Sequence, residues 1–179
     1  GEEFIPVTSA SLTTKWLSSW TYGRMEIRAK LPLGKGVWPA FWTLGENISS
    51  VGWPKCGEID VMEFVGSTPR QIHGGVHFYD YKLGKKSQLT PLKEEKLFTS
   101  SPDEFHIYGI EWDEKEIRFL FYGKQSQRFY ISLAGDANNP FTKPQFIIIN
   151  LAMGGTWAGT PDADIYPVDY IIDYVRIYQ

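Results

Sequence analysis

Three carboxylates stand within six residues, in the run Glu58-Ile59-Asp60-Val61-Met62-Glu63, and the residues around them are apolar and β-prone. In an extended strand, residues i and i+2 face the same way, so Glu58 and Asp60 share a face. Glu63 is five positions from Glu58, and regular pairing would turn it to the other side. One extra residue in a β-bulge brings it back, and bulges re-aim side chains beside active sites. The spacing therefore predicts a bulge within Val61 and Met62. Four effective steps of ~3.3 Å then set the Glu58 and Glu63 backbones about 13 Å apart. Side chains leaning together across that span reach the ~5–5.5 Å separation of the carboxyl pair in a retaining glycosidase. There one carboxylate attacks the anomeric carbon, and the other donates and then accepts a proton. Asp60 lies between them. Like charges this close raise at least one pKa, as a general acid working near neutral pH requires. The plainer reading is a solvated strand face with ordinary acids, since structural charge clusters also perturb pKa values. Flanks this apolar do not suit an exposed strand.

Trp38, Trp42 and Trp53 lie just upstream of the acids, in a chain that is 16% aromatic. The apolar face of a sugar packs on an aromatic ring while its hydroxyls need polar partners, so a Trp-lined groove with a few polar groups suits a glycan. Trp42, inside Ala40-Phe41-Trp42-Thr43-Leu44, reads as core as readily as groove. Trp53, between Gly52 and Pro54, and Trp157, in the Gly154-Gly155-Thr156-Trp157-Ala158-Gly159 stretch, fall on loops, where binding residues concentrate. His77 alternates with Val76 and Phe78 on a strand and reads equally as groove or core. His73 shares its face, with a weaker claim, and His106 reads as structural. Cys56 reads as a small buried apolar residue, with no cationic neighbour to activate it.

The elements that must position these residues have a period of two. Residues 24–31 alternate strictly, with Met25, Ile27, Ala29 and Leu31 on one face and Arg24, Glu26, Arg28 and Lys30 on the other, as in a half-buried antiparallel strand. Residues 105–112 are apolar on both faces. The polar turn 113–115 leads into 116–122, which makes a hairpin. Residues 146–152 form an apolar run of strand length, and 168–178 alternate to the end. No stretch has sustained helical spacing; residues 92–98 hold a turn or two of helix at most. The chain of 179 residues is one all-β domain, a sandwich or barrel by its many short strands. A net charge of −3 excludes a strong electrostatic grip on nucleic acid. No apolar run approaches the ~18 residues of a membrane helix. One cysteine excludes an intrachain disulfide.

The acid run resembles the ExDxxE signature of glycoside hydrolase family 16 in its bulged, laminarinase-type form. The segments 20–26, 36–42, 45–48, 51–54, 150–155 and 173–178 follow the same pattern, in order, over nearly the whole chain. The resemblance implies a concanavalin-like β-jelly-roll sandwich of two curved antiparallel sheets. It implies retaining endo-hydrolysis of β-1,3-glucan by double displacement, with no cofactor required. Glu58 matches the nucleophile, Asp60 the residue that tunes it and Glu63 the acid/base. Arg24, Trp38, Trp42, Asn47, Trp53 and His77 match positions that hold sugars near the cleavage point, and Trp157 a loop aromatic at the groove end. A carboxylate matching Asp173 contributes to a structural calcium site in many members.

Only ten residues precede the stretch 11–24, where members carry early strands of both sheets. The expectation is a single catalytic domain over residues 1–179, short at its N-terminus. Its last strand would then lack a neighbour and present an edge. The expected partner is β-glucan, with no nucleic acid and no membrane, and the expected location is secreted. Two rivals stand beside this reading: a non-catalytic β-glucan-binding module on the same sandwich, and a hydrolase of mixed-linkage β-1,3-1,4-glucan. A binder has no need of Glu58 and Glu63 together.

Overall fold

The strict alternation of 24–31 becomes a strand with Met25, Ile27 and Ala29 fully buried and the charged residues outward. The computed structural model describes residues 7–89, 101–135 and 138–179; the expected turn of helix at 92–98 lies outside them. The elements are β1 (Ser11–Thr13), β2 (Gly23–Lys30), β3 (Val37–Gly45), α1 (Ile48–Val51), β4 (Glu58–Glu63), β5 (His73–Asp80), β6 (Lys85–Leu89), β7 (His106–Trp112), β8 (Glu116–Phe121), β9 (Lys124–Tyr130), β10 (Gln145–Met153), α2 (Gly155–Ala158) and β11 (Ile171–Tyr178). They form a six-stranded sheet in the order β1-β10-β3-β4-β5-β6 and a five-stranded sheet in the order β11-β2-β7-β8-β9.

Every pairing is antiparallel. The apolar faces of the two sheets close on each other. Met25, Ile27, Tyr108, Ile110 and Trp112 from one meet Phe41, Ile59, Met62 and Val76 from the other. Trp112 satisfies its buried N–H on the carbonyl of Phe141 at 3.0 Å. His106 is buried, with Nε2 at 2.9 Å from the Ser101 carbonyl, a structural role as expected. Cys56 is buried in a small second cluster with Leu44 and Phe146.

The last strand begins at Ile171 rather than 168; Val168 and Tyr170 pack against the core ahead of the ladder. Within the described chain β11 is one edge of its sheet, opposite β9, and β1 is one edge of the other, opposite β6. A cavity of about 1130 Å³ opens near both edges, lined by Leu12, Ile149, Met153, Tyr170 and Ile172 among others.

The bulge falls where the spacing predicts it. On the β3 side Asp60 pairs with Trp42 and Met62 with Phe41, so Val61 is the extra residue. On the β5 side Asp60 pairs with Gly75 and Glu63 with His73. Val61 and Met62 both enter the core, at 4% and 0% exposure, and Glu63 thereby returns to the face of Glu58 and Asp60. Deleting Val61 would restore a one-to-one ladder with Glu63 still on that face. The expected cost is the lost burial of one valine, ~1.5–3 kcal/mol. Thermal unfolding should show a lower midpoint with cooperativity kept; loss of the cooperative transition would contradict the assignment of Val61 as the inserted residue.

Candidate active site

The face of the six-stranded sheet turned away from the core collects the chemistry. Strand β3 supplies Trp38 and Trp42, β4 the three acids, and β5 His73 and His77; the pairs on β3 and β5 are four residues apart, Glu58 and Asp60 two, and the bulge brings Glu63 to the same face. The Glu58 side chain is 15% exposed and that of Asp60 4%. Each glutamate accepts a hydrogen bond from an indole. Trp53 Nε1 donates to Glu58 Oε2 at 2.7 Å, and Trp38 Nε1 donates to Glu63 Oε1 at 3.0 Å. His77 Nε2 lies 3.2 Å from Asp60 Oδ2 and 3.6 Å from Glu58 Oε1.

Burial pushes the Glu63 carboxyl up to about 8, and the charges of Asp60 and Glu58 add to this, against the pull of the Trp38 N–H. Glu58 is raised by burial first and then by Asp60. Asp60 is raised by burial, partly offset by its hydrogen bond with Glu58. Two adjoining carboxyls in this state hold one proton between them, leaving one carboxylate charge. His77 is pushed below its ordinary value, chiefly by burial, and a neutral ring with its proton on Nε2 donates toward Asp60.

The aromatic walls are braced. Trp157, on α2, meets Trp38 edge-on at 4.9 Å and His73 at 4.9 Å. Trp53 is 47% exposed on the loop ahead of β4, with the His77 ring 6.2 Å away. Trp42 lies opposite Asp60 in the ladder, donates its N–H to Asn150 Oδ1 at 2.7 Å and packs on the small second cluster. Asn47 starts α1 on the same loop as Trp53, and its buried side-chain oxygen has no hydrogen-bond partner among the described residues.

Two expected residues are elsewhere. Arg24 is on β2 of the opposite sheet. Met25 points into the core, so Arg24 points to the far outer face, where it binds Glu26 at 2.8 Å and approaches Glu111 at 3.7 Å. The expectation that it holds sugar beside the acids is corrected. Asp173, the carboxylate expected at a structural calcium, sits at the irregularity in β11, and in this fold its side-chain partner is the Arg28 guanidinium. The donor atoms of Glu58, Asp60 and His77 lie within 4.8 Å of one another, and here their mutual contacts fill that space.

Sequence reasoning gave too little to His73, which pairs with Glu63 in the ladder. Its signal was the shared face with His77. Asn150 carried one weak signal, a lone amide in an apolar run. Lys86, whose ammonium lies 4.1 Å over the Trp53 ring, carried none.

The profile of Glycosyl hydrolases family 16 matches residues 6–176. A beta-glucanase of Rhodothermus marinus is 40% identical over 96% of the chain, which spans 62% of that protein. A glucan endo-1,3-beta-glucosidase A1 of Niallia circulans is 37% identical over 96% of the chain, which spans 26% of it. The laminarinase catalytic domain of Thermotoga maritima superposes with a TM-score of 0.81 at 40% identity, covering 94% of this chain and 68% of that one. The chain thus spans less than two thirds of the curated relatives it matches first.

Proposed function

The chain belongs to glycosyl hydrolases family 16, and we propose that it cleaves β-1,3-glucan internally, with retention, by double displacement. The observation that carries this is the pair Glu58 and Glu63 on one face of β4, each fixed by an indole N–H. Relatives named as beta-glucanase and glucan endo-1,3-beta-glucosidase support the substrate class.

In the first step a Glu58 oxygen attacks the anomeric carbon while protonated Glu63 gives its proton to the leaving glycosidic oxygen. In the second step Glu63, now a carboxylate, takes a proton from water, and the water oxygen displaces Glu58. For Glu58 to attack, the one proton it shares with Asp60 must sit on Asp60. Trp53 and Trp38 aim the two carboxyls, and Trp157 braces Trp38. A polymeric substrate that does not enter cells places the reaction outside the cell, so secretion is part of the proposal.

Incubation with laminarin and, separately, with lichenan tests this by release of reducing ends. Release from laminarin supports the reading, with lichenan ranking the mixed linkage. Binding of laminarin without release would favour the binding module.

The pH profile follows from the carboxyl pKa values. Glu63 must be protonated, so kcat/KM is expected to fall as pH rises through about 8. The Glu58–Asp60 pair must keep one charge, so kcat/KM falls again at low pH, above the ordinary carboxylate range because both are raised. Activity constant well past the alkaline limb would contradict Glu63 as acid. The same shift carries a stability sign: a carboxyl raised in the folded state favours folding while protonated, and this contribution is lost as pH rises through about 8.

A further inference from the structure

Trp53 Nε1 donates to Glu58 at 2.7 Å, and the ammonium of Lys86 lies over the same indole, 4.1 Å from the ring centroid. Lys86 is on β6, opposite Tyr79 in the ladder and two residues before Gln88, which pairs with His77. Among the described residues its ammonium meets this ring rather than a carboxylate. A cation over an indole face draws electron density from the ring and holds the ring plane. Both effects favour the N–H bond to a charged carboxylate over one to a neutral acid.

Resting on the proposed hydrolytic reading, we propose that Lys86 is a positioning residue: through Trp53 it orients Glu58 and holds the Glu58–Asp60 pair in its charged state. The groups facing Glu58 are Asp60 and Glu63 on its own strand, His77 on β5, and Trp53 on the preceding loop. Gln88 and Lys86 on β6 complete the surroundings, with Lys55 of that loop over Tyr79. Among these cations Lys86 acts on the carboxyls: its charge favours ionised Asp60 and disfavours charged His77. Removing it therefore makes the pair take up its second proton at higher pH.

The test uses Lys86→Ala and Lys86→Arg with two readouts. In kcat/KM profiles on laminarin, Lys86→Ala is expected to move the acid limb to higher pH. At that limb it should also lower kcat/KM by ~2–5-fold, the size expected of a cation over an exposed ring. Lys86→Arg, which keeps charge and stacking, should restore the profile. The second readout is the Trp53 indole N–H resonance, assigned by its loss in Trp53→Phe and titrated in the absence of substrate. Its midpoint should rise in Lys86→Ala and return in Lys86→Arg. A uniform loss of rate with an unmoved limb, or an unmoved indole midpoint, overturns the proposal. If wild type hydrolyses no glucan, the indole titration still decides the role of Lys86, and the hydrolytic reading fails separately.

Discussion

Glu58→Gln is expected to abolish hydrolysis of laminarin, by on the order of 10⁴-fold or more, while the fold and glucan binding persist. The amide has nearly the shape of the carboxylate. Its oxygen still accepts from Trp53 Nε1, so the loop that carries Trp53 keeps its anchor. What disappears is the nucleophile, and nothing replaces it: Asp60 is nearly buried and in contact with His77, and Glu63 is engaged by Trp38 and lies one bulge further along the strand. Reducing-end release measures the loss, and affinity electrophoresis in laminarin-containing gels measures the binding. Near-normal turnover in Glu58→Gln would remove Glu58 from the role of nucleophile.

Glu63→Ala is expected to lose ~10²–10⁴-fold on laminarin, the usual contribution of a positioned general acid and base. Here the pattern says more than the size. A substrate whose leaving group needs no proton, such as an aryl β-laminaribioside, should still form the glycosyl-enzyme, which then persists because no base activates water. Azide needs no base and fits the space vacated by the side chain, so it should restore turnover and yield the β-glycosyl azide. The limb of the pH profile near 8 should vanish with the group that causes it. Glu63→Ala losing equally on both substrates, unaffected by azide, would mean that the acid/base has been misplaced.

How much of this was legible beforehand depends on the range of the interaction concerned. The period of two placed Glu58 and Asp60 together, and one misfit in that period located the bulge at Val61. These are facts of a single strand, and a strand's pattern is local. Arg24 shows the boundary. Alternation already put it opposite Met25, but only the pairing of β2 with β7 and β11 reveals that its face belongs to the other sheet. Asn150 reaches Trp42 because β10 pairs with β3 across more than a hundred residues, a contact with no local trace. Trp157 was legible as a loop tryptophan, whereas its edge-on contact with Trp38, and so its bearing on Glu63, needed the fold. Lys86 lies on a hairpin strand among other lysines, and nothing in its neighbours' types singles it out.

With Glu58 as the attacking group, attack by a carboxylate followed by attack by water inverts the anomeric centre twice. The most direct test is the proton NMR spectrum of the first products released from laminarin, recorded before mutarotation equilibrates them. The newly formed reducing end is expected to appear as the β-anomer and only later as the mixture. The α-anomer appearing first would mean a single displacement by water, with Glu58 as base rather than nucleophile.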